Sequence, residues 1–176
     1  MSSRTGRRLR RRWRRLTRNQ RRAVTAIAVG LLVAVVLHGH KPAAGQSPFT
    51  SAPSPAAATA IAYARQQIGK PYVYGATGPY AYDCSGLVMQ AYASAGVSIP
   101  RTSEKQWAGL PHEPGPEPGY LVFFPGGDGT WTEPGHVALV ISATQMIQAY
   151  ATGTPIEISP LSGAGAGGIV GYARPW

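Results

Sequence analysis

With a single cysteine in 176 residues, this chain can form no internal disulfide, and one thiol with the two histidines beyond residue 54 falls short of a structural zinc set. No metal or other cofactor is therefore expected. Glycine is plentiful, yet no glycine run has the spacing of a phosphate-cradling loop, which removes that nucleotide-binding signature. No internal repeat is visible. The longest uncharged apolar run, Ala23 to Leu37, has fifteen residues with Thr25 as its one polar side chain. As a helix it would span roughly 22 Å against the ~30 Å of a bilayer core, which is short for a full crossing.

The net charge of +10 belongs to one end of the chain, because eleven of the seventeen Lys and Arg lie between Arg4 and Arg22. From Pro42 onward five basic residues face seven acidic ones, a formal charge of −2. A basic protein with a nucleic-acid partner is not the expectation. Arginines followed at once by an apolar run are the layout of an export signal or an N-terminal anchor whose basic end stays in the cytoplasm. The expected organisation is a basic segment at 1–22, a signal sequence or membrane anchor at 23–38, a Pro/Ala/Ser-rich linker at 39–54, and one folded domain at 55–176. Ala43-Ala44-Gly45 offers a cleavage site, and cleavage and retention are both open. In either case the domain ends up outside the cytoplasm, secreted or held by one segment.

Within the domain, Ser54 reads as an N-cap, Pro55 as the first helical position and Gly69 as a left-handed stop, with Ile61, Ala64 and Ile68 on one face. Asp83 caps a second helix from Cys84 to Ala95, whose buried face carries Leu87, Val88 and Ala91. Ser103 and Gln106 form a capping-box pattern for a third helix reaching Gly109. Beyond His112 the texture turns to β, with runs at 120–124, 136–141, 145–150, 156–159 and 169–173. Helices first and strands after imply an α+β domain with an antiparallel sheet.

A thiol in the first turn of a helix meets unpaired N–H groups and the positive end of the dipole, which favour thiolate. Cys84 occupies that place. A buried small hydrophobe is the bland alternative, but a free thiol in an exported chain is an oxidation hazard. The hairpin 136–150 supplies partners. With Ser142-Ala143-Thr144 as a three-residue loop, Ile141 pairs with Gln145, so Ala138 faces Gln148 and His136 shares a face with Gln148. An even-length loop would separate them. His136 can take the thiol proton, and the Gln148 carbonyl can accept the second imidazole N–H. His112, between prolines, competes as a base but reads as an exposed loop residue, and Gly126-Gly127-Asp128-Gly129 reads as a mobile turn.

These stretches resemble the NlpC/P60 cell-wall peptidases, from about Tyr63 to Tyr150. The matching residues run Ile68-Gly69-Lys70-Pro71-Tyr72-Val73-Tyr74-Gly75, Asp83-Cys84-Ser85-Gly86-Leu87-Val88, Ile99-Pro100-Arg101-Thr102-Ser103, Leu121-Val122-Phe123-Phe124 and Gly135-His136-Val137-Ala138-Leu139-Val140. The resemblance implies a papain-like α+β fold and hydrolysis of peptidoglycan stem peptides, commonly between D-isoglutamate and diaminopimelate. By it Cys84 is nucleophile, His136 base and Gln148 orienter, Tyr72 stands near the oxyanion with the Cys84 N–H, and Asp83 and Ser85 line the substrate groove.

Two positions depart from the family pattern. Tyr120 replaces an acid expected near the edge of the site, and Gln148 stands where histidine is usual. Asp83 should oppose a thiolate beside it, and the expectation is that an ion pair with protonated His136 outweighs this. Readings from other classes are a catalytically silent wall-binding module of the same fold and a related thiol amidase acting on another amide bond.

Overall fold

The structure is a computed structural model that describes residues 53–163 and 167–176. The basic segment, the apolar run and most of the linker lie outside the described residues. Among the described residues no helix is long and apolar enough to cross a membrane. Helices α1 (Pro55–Gln66), α2 (Cys84–Ser94) and α3 (Ser103–Gly109) come first in the chain. Strands β1 (His112–Glu113), β2 (Leu121–Phe124), β3 (His136–Val140), β4 (Gln145–Gln148), β5 (Glu157–Pro160) and β6 (Gly171–Ala173) follow, with a 3₁₀ turn at Leu161–Gly163. The sheet is antiparallel throughout, in the order β1-β6-β2-β3-β4-β5. This is the α+β arrangement expected from helices preceding strands.

The caps of the first two helices form as their side chains dictate. Ser54 Oγ accepts the Ala57 N–H at 3.1 Å, with Pro55 in the first turn. Asp83 Oδ1 accepts the Gly86 N–H at 2.6 Å. The buried stripe of α1 is Ala57, Ala60 and Ala64, not Ile61, Ala64 and Ile68. The helix stops at Gln66, so Ile68 falls in the following turn and stays exposed. Small residues let α1 approach closely: Gly119 has φ +97°, and a Cβ there would overlap that of Ala57.

The capping box expected for α3 does not form. Thr102 is its N-cap and makes no side-chain cap bond, while Ser103 is already helical. Gln106, fully buried, donates instead to the carbonyls of Pro100 at 2.8 Å and Ser85 at 3.2 Å. It therefore ties α3 to the first turn of α2.

Period-two pleating divides the sheet between two cores. Leu121, Phe123, Val137, Leu139 and Ile147 face the helices and meet Leu87, Val88, Ala91 and Tyr92. Val122, Phe124, Ala138, Val140 and Met146 fill the opposite face under Leu161. Burying each such Leu, Val or Phe side chain contributes roughly 1.5–3 kcal/mol, so the core on the helix face holds β3 against α2. Strand β1 was not anticipated; it is two residues long and pairs only with β6.

Candidate active site

Cys84 is the first residue of α2 and only 9 % exposed. Its Sγ lies 4.0 Å from the Gly135 carbonyl, and the Val137 N–H also points at it, so the sulfur rests on the backbone that flanks His136. The turn that carries it packs tightly: Asp83 N–H donates to the Ala76 carbonyl at 2.9 Å, and a side chain at Gly86 would overlap that same oxygen.

β3 and β4 pair as Leu139↔Ile147 and Val140↔Met146, and the Ile141 N–H bonds the Gln145 carbonyl at 2.9 Å. This is the register read from the three-residue loop. His136 Nε2 and Gln148 Oε1 are accordingly 3.0 Å apart, both buried. The ring is walled by Phe124, at 5.8 Å between centroids, and by Tyr150, edge-on at 5.3 Å. Behind Gln148, Nε2 donates to Ser159 Oγ at 3.0 Å and stands 3.5 Å from Glu157 Oε1, which accepts the Ser159 hydroxyl at 2.8 Å.

Tyr72, Asp83, Cys84, Ser85 and His136 all line one cleft of ≈ 540 Å³, and Gln148 lies outside that lining, bonded to the imidazole. The Gly126-Gly127-Asp128 turn forms part of the rim. His112 is elsewhere, stacked on Trp107 with ring centroids 3.7 Å apart. Tyr120 is not at the site's edge: Phe124 pairs with His136, while Tyr120 precedes the far end of β2 and packs on Trp176. Its replacement of an acid therefore leaves the cleft untouched.

Arg101 is the residue that sequence reasoning passed over. Its two terminal nitrogens bond Asp83 Oδ1 at 3.1 Å and Oδ2 at 2.6 Å, and Nη1 also reaches Ser85 Oγ at 2.9 Å. The Asp83 carboxylate further accepts N–H groups from Gly75 and Gly86. Its charge is thus neutralised at the groove wall. Nothing in the sequence marks it: a carboxylate only 6 % exposed gains from a nearby cation, but that burial is a property of the fold.

The expected thiolate–imidazolium pair is not favoured by these surroundings. Burial pushes the Cys84 thiol up; the Val137 N–H opposes it, Asp83 adds to it, and the N–H and hydroxyl of Ser85 pull down. Burial likewise holds the His136 imidazole below its usual range, with Gln148 opposing. Both shifts favour the uncharged forms near neutral pH, because burial penalises the ionised thiol and the protonated imidazole alike. Tyr72 is raised by burial first and by Cys84 and Asp83 next, so its phenol stays protonated and able to donate. Among the described residues no group of His, Cys, Asp or Glu is placed to hold a metal ion.

The NlpC/P60 family model matches residues 69–168. A probable endopeptidase p60 of Listeria innocua is 38% identical over 117 residues, covering 65% of this chain and 24% of that protein. The chain thus spans about a quarter of the length of such curated relatives. Among solved structures, an NlpC/P60 family protein from Bacillus cereus superposes with TM-score 0.63 and 31% identity, over 70% of this chain and 41% of that one. The peptidoglycan hydrolase RipB from Mycobacterium tuberculosis superposes with TM-score 0.57 and 30% identity, over 68% and 64%.

Proposed function

Because this chain belongs to the NlpC/P60 family, we propose that it is a cysteine endopeptidase that hydrolyses peptide bonds of peptidoglycan stem peptides, with Cys84 as nucleophile, His136 as base and Gln148 as orienter. The observation that carries the reading is the single cleft lined by Cys84 and His136, with the Gln148 carbonyl 3.0 Å behind the imidazole. A neutral resting pair calls for concerted transfer. As Sγ attacks the scissile carbonyl, His136 takes the thiol proton, and the imidazolium then protonates the leaving amine. Water attacks the thioester in the second half, with the same imidazole as base. The oxyanion is received by the Cys84 N–H, one of the donors a helix start leaves without intrahelical acceptors, and by the Tyr72 hydroxyl.

Asp83, Ser85 and Arg101 form a fixed polar wall on one side of the groove, suited to the polar groups of a short stem peptide. The bond between D-isoglutamate and diaminopimelate is the proposed target. Residues 23–38 act as export signal or retained anchor, which delivers the domain outside the cytoplasm to the wall and makes the membrane a partner if the segment is kept. No nucleic-acid partner is proposed.

The test is digestion of purified peptidoglycan by the full chain beside Cys84→Ala, with mass spectrometry of the released fragments. New termini at a stem-peptide bond, absent from the Cys84→Ala digest, are expected. A sugar-to-peptide cut would identify a thiol amidase instead, and binding without any fragment would identify a silent wall module.

A further inference from the structure

A glutamine behind a catalytic imidazole presents a difficulty that a carboxylate does not. Its two ends are nearly the same shape but opposite in hydrogen bonding, since Oε1 only accepts and Nε2 only donates. With the carbonyl toward His136, the imidazole carries its proton on Nε2 and leaves Nδ1 bare to receive the thiol proton. With the amide reversed, Nε2 of the ring must accept, the proton moves to Nδ1, and the base is lost. Something in the fold has to tell the two ends apart.

β4 and β5 provide it through their pairing, Gln148↔Glu157 and Met146↔Ser159, which sets Glu157 opposite Gln148 and Ser159 diagonal to it on the same face. The Ser159 hydroxyl gives its one hydrogen to Glu157 Oε1 at 2.8 Å, so its lone pairs face Gln148 Nε2 at 3.0 Å. Glu157 Oε1 itself lies 3.5 Å from the same nitrogen. An ionised carboxylate can only accept. Every hydrogen in the chain is therefore directed outward, from His136 through Gln148 and Ser159 to Glu157. Reversing the amide would set Oε1 against the carboxylate, two acceptors with no proton between them.

We propose that Glu157 and Ser159 are positioning residues that lock the Gln148 carboxamide in one orientation and thereby hold His136 in the tautomer with a free Nδ1. This rests on the peptidase reading for its consequence in catalysis, though not for the lock itself.

The tautomer is read directly from ¹⁵N shifts of full-length protein labelled at histidine, with the His136 signals assigned by their loss in His136→Ala. The wild type is expected to show the Nε2–H form alone. Glu157→Gln, whose new amide can donate as well as accept, and Ser159→Ala, which removes the link, are expected to mix in the Nδ1–H form. Both should lower kcat on stem peptide by about tenfold with KM unchanged, the low end for a hydrogen bond to a charged group given that Glu157 is exposed. Glu157→Asp, which keeps an acceptor-only end, should retain most of the rate. A single Nε2–H form and an undiminished kcat in both disabling variants would overturn the lock. The tautomer needs no substrate to be seen, so a wild-type chain that cuts no stem peptide while its variants still lose the Nε2–H form would overturn the peptidase reading and leave the lock standing.

Discussion

Arg101 reaches three acceptor atoms, and what it does for Cys84 can be separated from what it does for the fold. In Arg101→Ala, Asp83 keeps its two backbone N–H donors but loses its counter-charge, one residue from the sulfur. The thiol should move further up, and alkylation of Cys84 by iodoacetamide at neutral pH should slow. Removing one partner of a buried pair costs about 3–5 kcal/mol, but Arg101 is a third exposed and Asp83 stays bonded, so about 2 kcal/mol is expected in urea melts. Arg101→Lys should restore part of the stability and little of the reactivity, because a point charge cannot span both carboxylate oxygens and Ser85. Equal alkylation rates in all three proteins would detach Arg101 from the thiol. Neither this contact nor that of Glu157 with Gln148 was visible in the sequence. Each joins side chains from separate elements, and local spacing says nothing of which charges meet across them.

At the level of elements, what was legible follows from short-range periodicity. The hairpin register came out as read because the loop length and the two-residue pleat leave one pairing for Ile141 with Gln145. The caps at Ser54 and Asp83 followed from residue type. Gln106 and Ile68 were misjudged where an element's true boundary differed by a residue or two: with Ser103 already inside α3, Gln106 had no capping partner to reach back to. The packing of α1 on the sheet supplies its own test. Gly119→Ala would force a Cβ into Ala57 and require a side chain at φ +97°, a strain on the order of 2–3 kcal/mol. Thermal unfolding should drop by about 10 °C, on the scale of a few degrees per kcal/mol for a domain of this size. An unchanged melting temperature would mean that α1 can move away at little cost.

For the whole domain, the buried neutral pair shapes stability against pH from both sides. His136 is held below its ordinary 6.5, so as pH falls past 6.5 the unfolded chain takes up a proton that the folded one refuses, and stability declines. Cys84 is held above its ordinary 9.0, so as pH rises past 9.0 the unfolded chain releases a proton the folded one keeps, and stability declines again. The expected plateau lies between. Cys84→Ala reports the alkaline arm: its stability relative to wild type should rise as pH climbs above 9.0, with Tyr72, which Cys84 raises, adding to the same trend, while the raised tyrosines Tyr82 and Tyr92 affect both proteins alike and cancel. A difference between the two proteins that stays constant from pH 8 to 11 would contradict the shift.

The sequence by itself determined the α+β order, the cysteine at a helix start and the face shared by His136 and Gln148, because each depends on the identity and spacing of residues close along the chain. Only the tertiary structure decided that burial favours the uncharged thiol and imidazole, that Tyr120 stands away from the cleft, and that Arg101 meets Asp83 while Glu157 meets Gln148 and Ser159. Those outcomes depend on burial and on charges brought together from distant segments, and desolvation is a property of the packed molecule that no stretch of residues carries alone.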